Sequence, residues 1–262
     1  MANAKIGDLN VYYEMEGEGP PLILIQGYTC SYRFWDPMMR ELAARFRVVR
    51  FDNRGSGYST DQGESFTLDT MAADTAALIA YLGLGSPAIV GHSMGGAIAQ
   101  TLIERFPAVC GKSVVLNSMR STSRQATALL EGLLALRKAD VGYDFLIDAT
   151  LRLLSGPSWL SIPSNLDAAR AAVKSEPAPQ SIEDQTRQLD ALKHFDATPY
   201  CSPPPKPVLV ISSTDDILTP VSDGERIAVA LGATHRQIRT GHPSVVEQPE
   251  ILLPMVCAFL SD

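Results

Sequence analysis

Cysteine is scarce: the 262 residues hold four, Cys30, Cys110, Cys201 and Cys257, none of them in a CxxC pair. Such spacing offers neither a zinc ribbon nor a dithiol redox motif. Scattered cysteines suit a reducing compartment and point to the cytoplasm. Excess positive charge is missing as well, with 22 Lys and Arg against 29 Asp and Glu and a net charge of −7. Without a basic stripe to neutralise phosphates, nucleic acid and anionic membrane are not expected partners. Long apolar runs are absent too. The longest, residues 251–260, is broken by Pro254 and has about half the length of a membrane span. It reads instead as a C-terminal helix packed on the core. The first 21 residues are polar and lack the apolar stretch of a signal peptide. There is no internal repeat and no low-complexity segment.

What is present is the material of a large core: 45% of the residues are hydrophobic and 19% charged, the profile of a soluble globular protein. A chain of this length buries about three quarters of its unfolded surface and needs neither disulfides nor a metal for stability. Short apolar runs alternate with longer amphipathic stretches. Residues 22–25, 47–51, 87–90 and 112–116 read as strands, and 35–46, 67–82 and 95–106 as the helices between them. That alternation predicts βαβ units and a parallel sheet whose strands are buried on both faces. From about Met119 to Tyr200 the pattern turns to helices and loops, with leucines at 129, 130, 133, 134 and 136. A Pro-rich segment, 202–207, closes it. Strands resume at 207–212 and 235–239, with a helix near 220–231 between them. The expected organisation is a sheet core carrying one helical insertion. Ligands of open α/β sheets bind beyond the carboxyl ends of the strands, so an insertion there would lie over the site.

The sharpest local feature is Gly91-His92-Ser93-Met94-Gly95, followed by Gly96, where a strand gives way to a helix. A serine hydroxyl is a poor nucleophile unless it is held in the open beside a base, and a tight strand-to-helix turn does that. Strain at Ser93 and close backbone packing demand glycine on both sides. The helix N-terminus beneath supplies free N–H groups for a developing oxyanion. The chain has four histidines. His92 lies inside the turn, with its side chain directed away from that of Ser93. His194 falls in the insertion and His235 at a strand start. His242, in Thr240-Gly241-His242-Pro243, follows the last expected strand and is the candidate base. The imidazole requires an orienting acid. Asp215 and Asp216 both stand at the carboxyl end of a strand, and the residues alone leave either open.

These motifs together resemble the α/β-hydrolase superfamily, in particular its small capped esterases, enol-lactonases and cofactor-free haloperoxidases. Asp52-Asn53-Arg54-Gly55-Ser56-Gly57-Tyr58-Ser59 is similar to that family's DxRGxGxS turn. Asp216 with Pro220 resembles its DxxxP acid loop, and Gly241-His242 with Glu247, Pro249 and Glu250 its GHxxxxExPE ending. The resemblance implies an α/β-hydrolase fold, a mostly parallel sheet flanked by helices with a helical cap inserted after the sixth strand. The core would span 1–119 and 201–262 and the cap 120–200. It selects Asp216 as the acid; the alternative acid position after the preceding strand reads Asn117-Ser118, without a carboxylate. The oxyanion donors would be the N–H groups of Tyr28 and Met94. Where the family has His-Gly after its first strand, this chain has Gln26-Gly27. Gln26 either touches substrate or hydrogen-bonds the loop. Trp35 reads as packing and Cys30 as a small hydrophobe.

The implied activity is that of a serine hydrolase, cleaving a hydrophobic small-molecule ester, lactone or thioester through an acyl-enzyme on Ser93. No metal or cofactor is required. Carbon–carbon bond hydrolysis by the same three residues is the alternative among enzymes. A slow ligand receptor of the same fold is the alternative outside them, and Gln26 is its one point of support. Specificity would reside in insertion side chains such as Tyr143, Phe145 and Trp159. The Leu129–Leu136 stripe would either line the pocket or pack on the core.

Overall fold

A computed structural model describes residues 2–199 and 204–261. Cys201, the 200/201 domain boundary and the start of the Pro-rich segment lie outside the described residues. Eight strands form one sheet: β1 (Ala2–Ile6), β2 (Leu9–Glu16), β3 (Pro21–Ile25), β4 (Arg47–Phe51), β5 (Ala88–His92), β6 (Ser113–Leu116), β7 (Val208–Ser213) and β8 (Thr234–Ile238). Their spatial order is β1-β2-β4-β3-β5-β6-β7-β8. Pairing is parallel from β4 to β8, while β1 and β2 add an antiparallel edge. The parallel sheet expected from the pattern, and the α/β-hydrolase architecture that the resemblance implies, are therefore the ones observed. The first two strands were not read from the pattern. β1 alternates buried and exposed residues at the sheet edge and β2 mixes polar residues with apolar ones, so both lack the continuous apolar run that marks the buried strands.

The helices are α1 (Asp36–Ala43), α2 (Leu68–Tyr81), α3 (Met94–Arg105), α4 (Arg124–Lys138), α5 (Tyr143–Leu154), α6 (Pro157–Leu160), α7 (Pro163–Lys174), α8 (Ile182–Lys193), α9 (Val221–Leu231), α10 (Ser244–Glu247) and α11 (Pro249–Ser261). Alternate residues along a strand point to opposite faces, and the core divides accordingly. Ile23, Ile25, Val49, Ile89, Val115 and Val210 pack with Met71, Ile98, Leu102 and Ile227 of α2, α3 and α9. Leu22, Leu24, Val48, Val90, Val114 and Ile211 pack with Met38, Leu42, Leu252 and Val256 of α1 and α11. The C-terminal apolar run is thus a core helix, and Pro254 sits inside it. Among the described residues no helix is long and apolar enough to cross a membrane. Trp35 is fully buried in the second cluster.

Helices α4 to α8 fill the chain between β6 and β7. The leucine stripe resolves toward packing: Leu130 and Leu134 join the core cluster with Met119 and with Leu189 and Leu192 of α8. Tyr143 and Phe145 are 50% and 58% exposed. They stand on the first turn of α5, a helix whose one buried residue is Ile147.

Candidate active site

Four neighbouring parallel strands, β5 to β8, each deliver one polar residue at or just past the carboxyl end: Ser93, Asn117, Asp216 and His242. Adjacent strands lie about 4.8 Å apart, so the four side chains can meet. Ser93 caps α3 with φ 56° and ψ −119°, a strained conformation for a residue with a Cβ. Tight packing enforces it. A Cβ at Gly95 would fall 2.0 Å from the Ile25 carbonyl oxygen, and one at Gly91 2.3 Å from that of Gly95. The Ser93 N–H donates to the Leu116 carbonyl at 2.9 Å, and Ser118 Oγ donates to the Ser93 carbonyl at 2.8 Å.

His242 Nε2 lies 2.9 Å from Ser93 Oγ, and His242 Nδ1 lies 2.8 Å from Asp216 Oδ2. An ionised carboxylate only accepts, so Nδ1 carries the proton and Nε2 presents its lone pair to the serine hydroxyl. Asp216 Oδ2 also accepts from Thr219 Oγ1 at 2.7 Å and Asn117 Nδ2 at 3.0 Å. Its Oδ1 accepts the Leu218 and Thr219 N–H groups at 2.8 and 2.9 Å. Burial alone would push this carboxyl up; the imidazole of His242 and the Thr219 bonds outweigh it and hold the pKa down at about 2. Ser244 Oγ donates to Asn117 Oδ1 at 2.8 Å. Asp215 points elsewhere, a quarter exposed and 3.8 Å from the Arg239 guanidinium.

Met94 is the first residue of α3, so its N–H has no intrahelical acceptor. Gly27 abuts the serine, since a Cβ there would lie 3.0 Å from Ser93 Cβ. Tyr28 follows it in the chain. Neither N–H is engaged by another group among the described residues. Gln26 is fully buried and its side-chain amide donates to the Phe51 carbonyl at 2.7 Å, while its backbone carbonyl accepts from Asn53 Nδ2. It ties β3 to the loop after β4. In that loop Asp52 accepts the N–H groups of Tyr32 and Tyr58, and a Cβ at Gly57 would fall 2.1 Å from its Oδ2. His92 donates from Nε2 to the His242 carbonyl at 2.9 Å and packs on Phe34. Burial drives its pKa down to about 3, so the ring stays neutral.

His194 is exposed at the end of α8 and His235 pairs with Ser212, so neither reaches the serine. The Cys30 side chain is half-buried, and desolvation raises its thiol pKa to about 12. Sequence reasoning passed over Thr219, whose hydroxyl binds the acid, and Ser244, whose hydroxyl holds the Asn117 side chain that also binds it. Both are residue types too common to signal a role, and only the meeting of β6, β7 and α10 reveals them.

The insertion hydrogen-bonds to loops at this end of the sheet. Ser93 and His242 are 5% and 6% exposed. Gln180 and Gln188 donate to the carbonyls of Gly55 and Arg54, and Glu176 accepts from Ser31.

A family model described as the alpha/beta hydrolase fold matches residues 20–249. The chain belongs to that family. A Mycobacterium tuberculosis H37Rv protein carrying the name non-heme bromoperoxidase BpoC is 32% identical across 97% of this chain and 98% of its own. A protein of Caulobacter sp. K31 named as carbamate hydrolase RutD is 33% identical over 96% of both. Among solved structures, BpoC superimposes with a TM-score of 0.85 at 29% identity, covering 96% of each chain. The enol-lactonase from Burkholderia xenovorans LB400 does so with a TM-score of 0.88 over the full length of both chains. At 22% identity that second likeness speaks for the fold alone.

Proposed function

We propose that this alpha/beta hydrolase is a serine hydrolase that cleaves a small carboxylic ester, lactone or thioester by two-step acyl transfer. The observation that carries the reading is the continuous path from Ser93 Oγ through His242 to Asp216, at 2.9 and 2.8 Å, with the imidazole tautomer set for base catalysis. Ser93 Oγ attacks the carbonyl carbon while His242 Nε2 takes its proton. The Tyr28 and Met94 N–H groups stabilise the oxyanion. His242 then protonates the departing alcohol, enol or thiol, which leaves Ser93 acylated. Water, deprotonated by the same imidazole, attacks the acyl-enzyme and releases the acid. Asp216 keeps Nδ1–H in place and supports the imidazolium in both halves.

In this reading the helical segment within 120–200 is a cap over the site and 1–119 with 201–262 the core. The tie from Gln26 to Phe51 gives that residue a structural task. That bond supports the enzyme reading over a receptor, for which Gln26 was the one point of support.

A fluorophosphonate probe tests the assignment. Wild-type protein should label stoichiometrically and turn over activated esters, and Ser93→Ala should do neither while keeping its fold. Near-normal turnover by Ser93→Ala would exclude the mechanism.

A further inference from the structure

The insertion is fastened directly to the loop that carries the base. Leu154, the last residue of α5, accepts the His242 N–H at 2.7 Å. Two residues later, the Gly156 N–H donates to Glu247 Oε1 at 3.0 Å. Glu247 Oε2 accepts the Gly241 N–H at 2.9 Å. One carboxylate at the end of α10, only 8% exposed, therefore grips the residue before His242 with one oxygen and the insertion with the other. Burial pushes this carboxyl up, and the two amide bonds act against that.

Backbone meets backbone at this point. A Cβ at Gly241 would lie 2.3 Å from the Gly156 nitrogen and 2.4 Å from the Leu154 oxygen. One at Gly156 would lie 2.8 Å from the Gly241 nitrogen and 3.0 Å from Glu247 Oε2. Gly156 has an ordinary extended conformation, φ −69° and ψ 146°. Glycine there answers to space, not to dihedral angle. The two amide bonds give a buried carboxyl group the partners it needs away from water.

We propose that Glu247 is a positioning residue that sets His242 against Ser93 and, through Gly156, makes the α5–α6 turn of the insertion part of the base's support. The proposal rests on the serine hydrolase reading for its catalytic consequence. It implies that the insertion does not swing free over the site. A displacement of the α5–α6 turn carries the His242 backbone with it and opens the 2.9 Å contact to Ser93.

Gly156→Ala and Glu247→Gln test this, with kcat, KM and the rate of fluorophosphonate labelling measured beside wild type. Glu247→Gln turns an NH2 toward one of the two N–H donors. Misplacing a reacting group by a fraction of an ångström to 1 Å from a distance costs up to about 100-fold. Both variants should therefore lose about 10–100-fold in kcat, with labelling slowed by the same factor and KM little changed. Glu247→Asp keeps two acceptor oxygens and should recover part of the loss. A rise in KM with kcat and labelling intact, or wild-type behaviour throughout, overturns the proposal, because the insertion would then only shape the pocket. Hydrogen exchange at the Gly156, Gly241 and His242 amides decides the contact itself. All three should be protected in wild type and lose protection together in Glu247→Gln. Independent exchange overturns the clasp even if the wild-type protein labels normally. If wild type fails to label, the hydrolase reading falls, and the exchange data still decide the clasp.

Discussion

At the residue scale the acid is the most informative side chain. Neighbouring residues on an extended segment face opposite ways, and here Asp216 turns inward with five donors while Asp215 turns out toward Arg239. Asp216→Asn would leave the imidazole without its orienting acceptor and its cationic form unsupported. In a serine protease the same change costs about 10⁴ in kcat. The expected loss here is about 10²–10⁴, with Asp215→Asn within a few-fold of the parent. Asn117→Ala, which removes one donor of the five, should fall between them. Measuring kcat for all three on one activated ester orders them, and a crippled Asp215→Asn would move the acid by one residue. Ser93 stands out in the chain because a strained turn demands glycines around it, and those glycines are visible as letters. Choosing Asp216 over its neighbour required a resemblance. The residues that hold it, Asn117 and Thr219 directly and Ser244 through Asn117, come from three separate elements and leave no local pattern.

At the element scale the working unit is β5, the turn at Ser93 and α3, wedged against the end of β3. The approach is closest at Gly95, where even a methyl group would collide with the Ile25 carbonyl. Gly95→Ala must push α3 away from β3, shifting the Met94 N–H and the Ser93 backbone together. Overpacking of this kind costs about 1–3 kcal/mol. Chemical denaturation should show that loss, and the activity of the protein that remains folded should fall as well. Full activity in folded Gly95→Ala would mean that the amide of Met94 takes no part. Strands β3 to β7 were legible because burial on both faces leaves unbroken apolar runs such as Leu22-Ile23-Leu24-Ile25 and Val114-Val115-Leu116. The outer faces of α5 and α7 were not. Their apolar residues, Tyr143, Phe145 and Val173, remain exposed, so hydrophobicity misreports where they point.

At the scale of the whole molecule, acid stability follows from groups the fold buries. His92 is held neutral down to about pH 3, whereas in the unfolded chain an imidazole binds its proton at about 6.5. Between those values the unfolded state carries more protons, so this residue makes stability fall as pH falls. Asp52 acts in the opposite sense. Burial raises its pKa to about 6, above an unfolded value of about 3.9, so from pH 6 to about 4 the native state binds the extra proton and gains stability. The two contributions offset each other in that window. Below about pH 4 the Asp52 term is complete, His92 continues, and Asp216, held near 2, begins to oppose folding as well. The curve should therefore bend downward near pH 4. His92→Gln isolates one term, since it keeps a donor for the His242 carbonyl and cannot titrate. Its stability relative to wild type should rise as pH drops from about 6.5 toward 3, by about 1.4 kcal/mol per pH unit while His92 alone differs. Urea unfolding of both proteins at pH 7, 6 and 5 gives the difference directly, free of every group they share. A constant offset across those pH values would show that the native state protonates His92 as readily as the unfolded chain does. The elbow histidine would then be open to solvent and not sealed between Phe34 and the His242 loop.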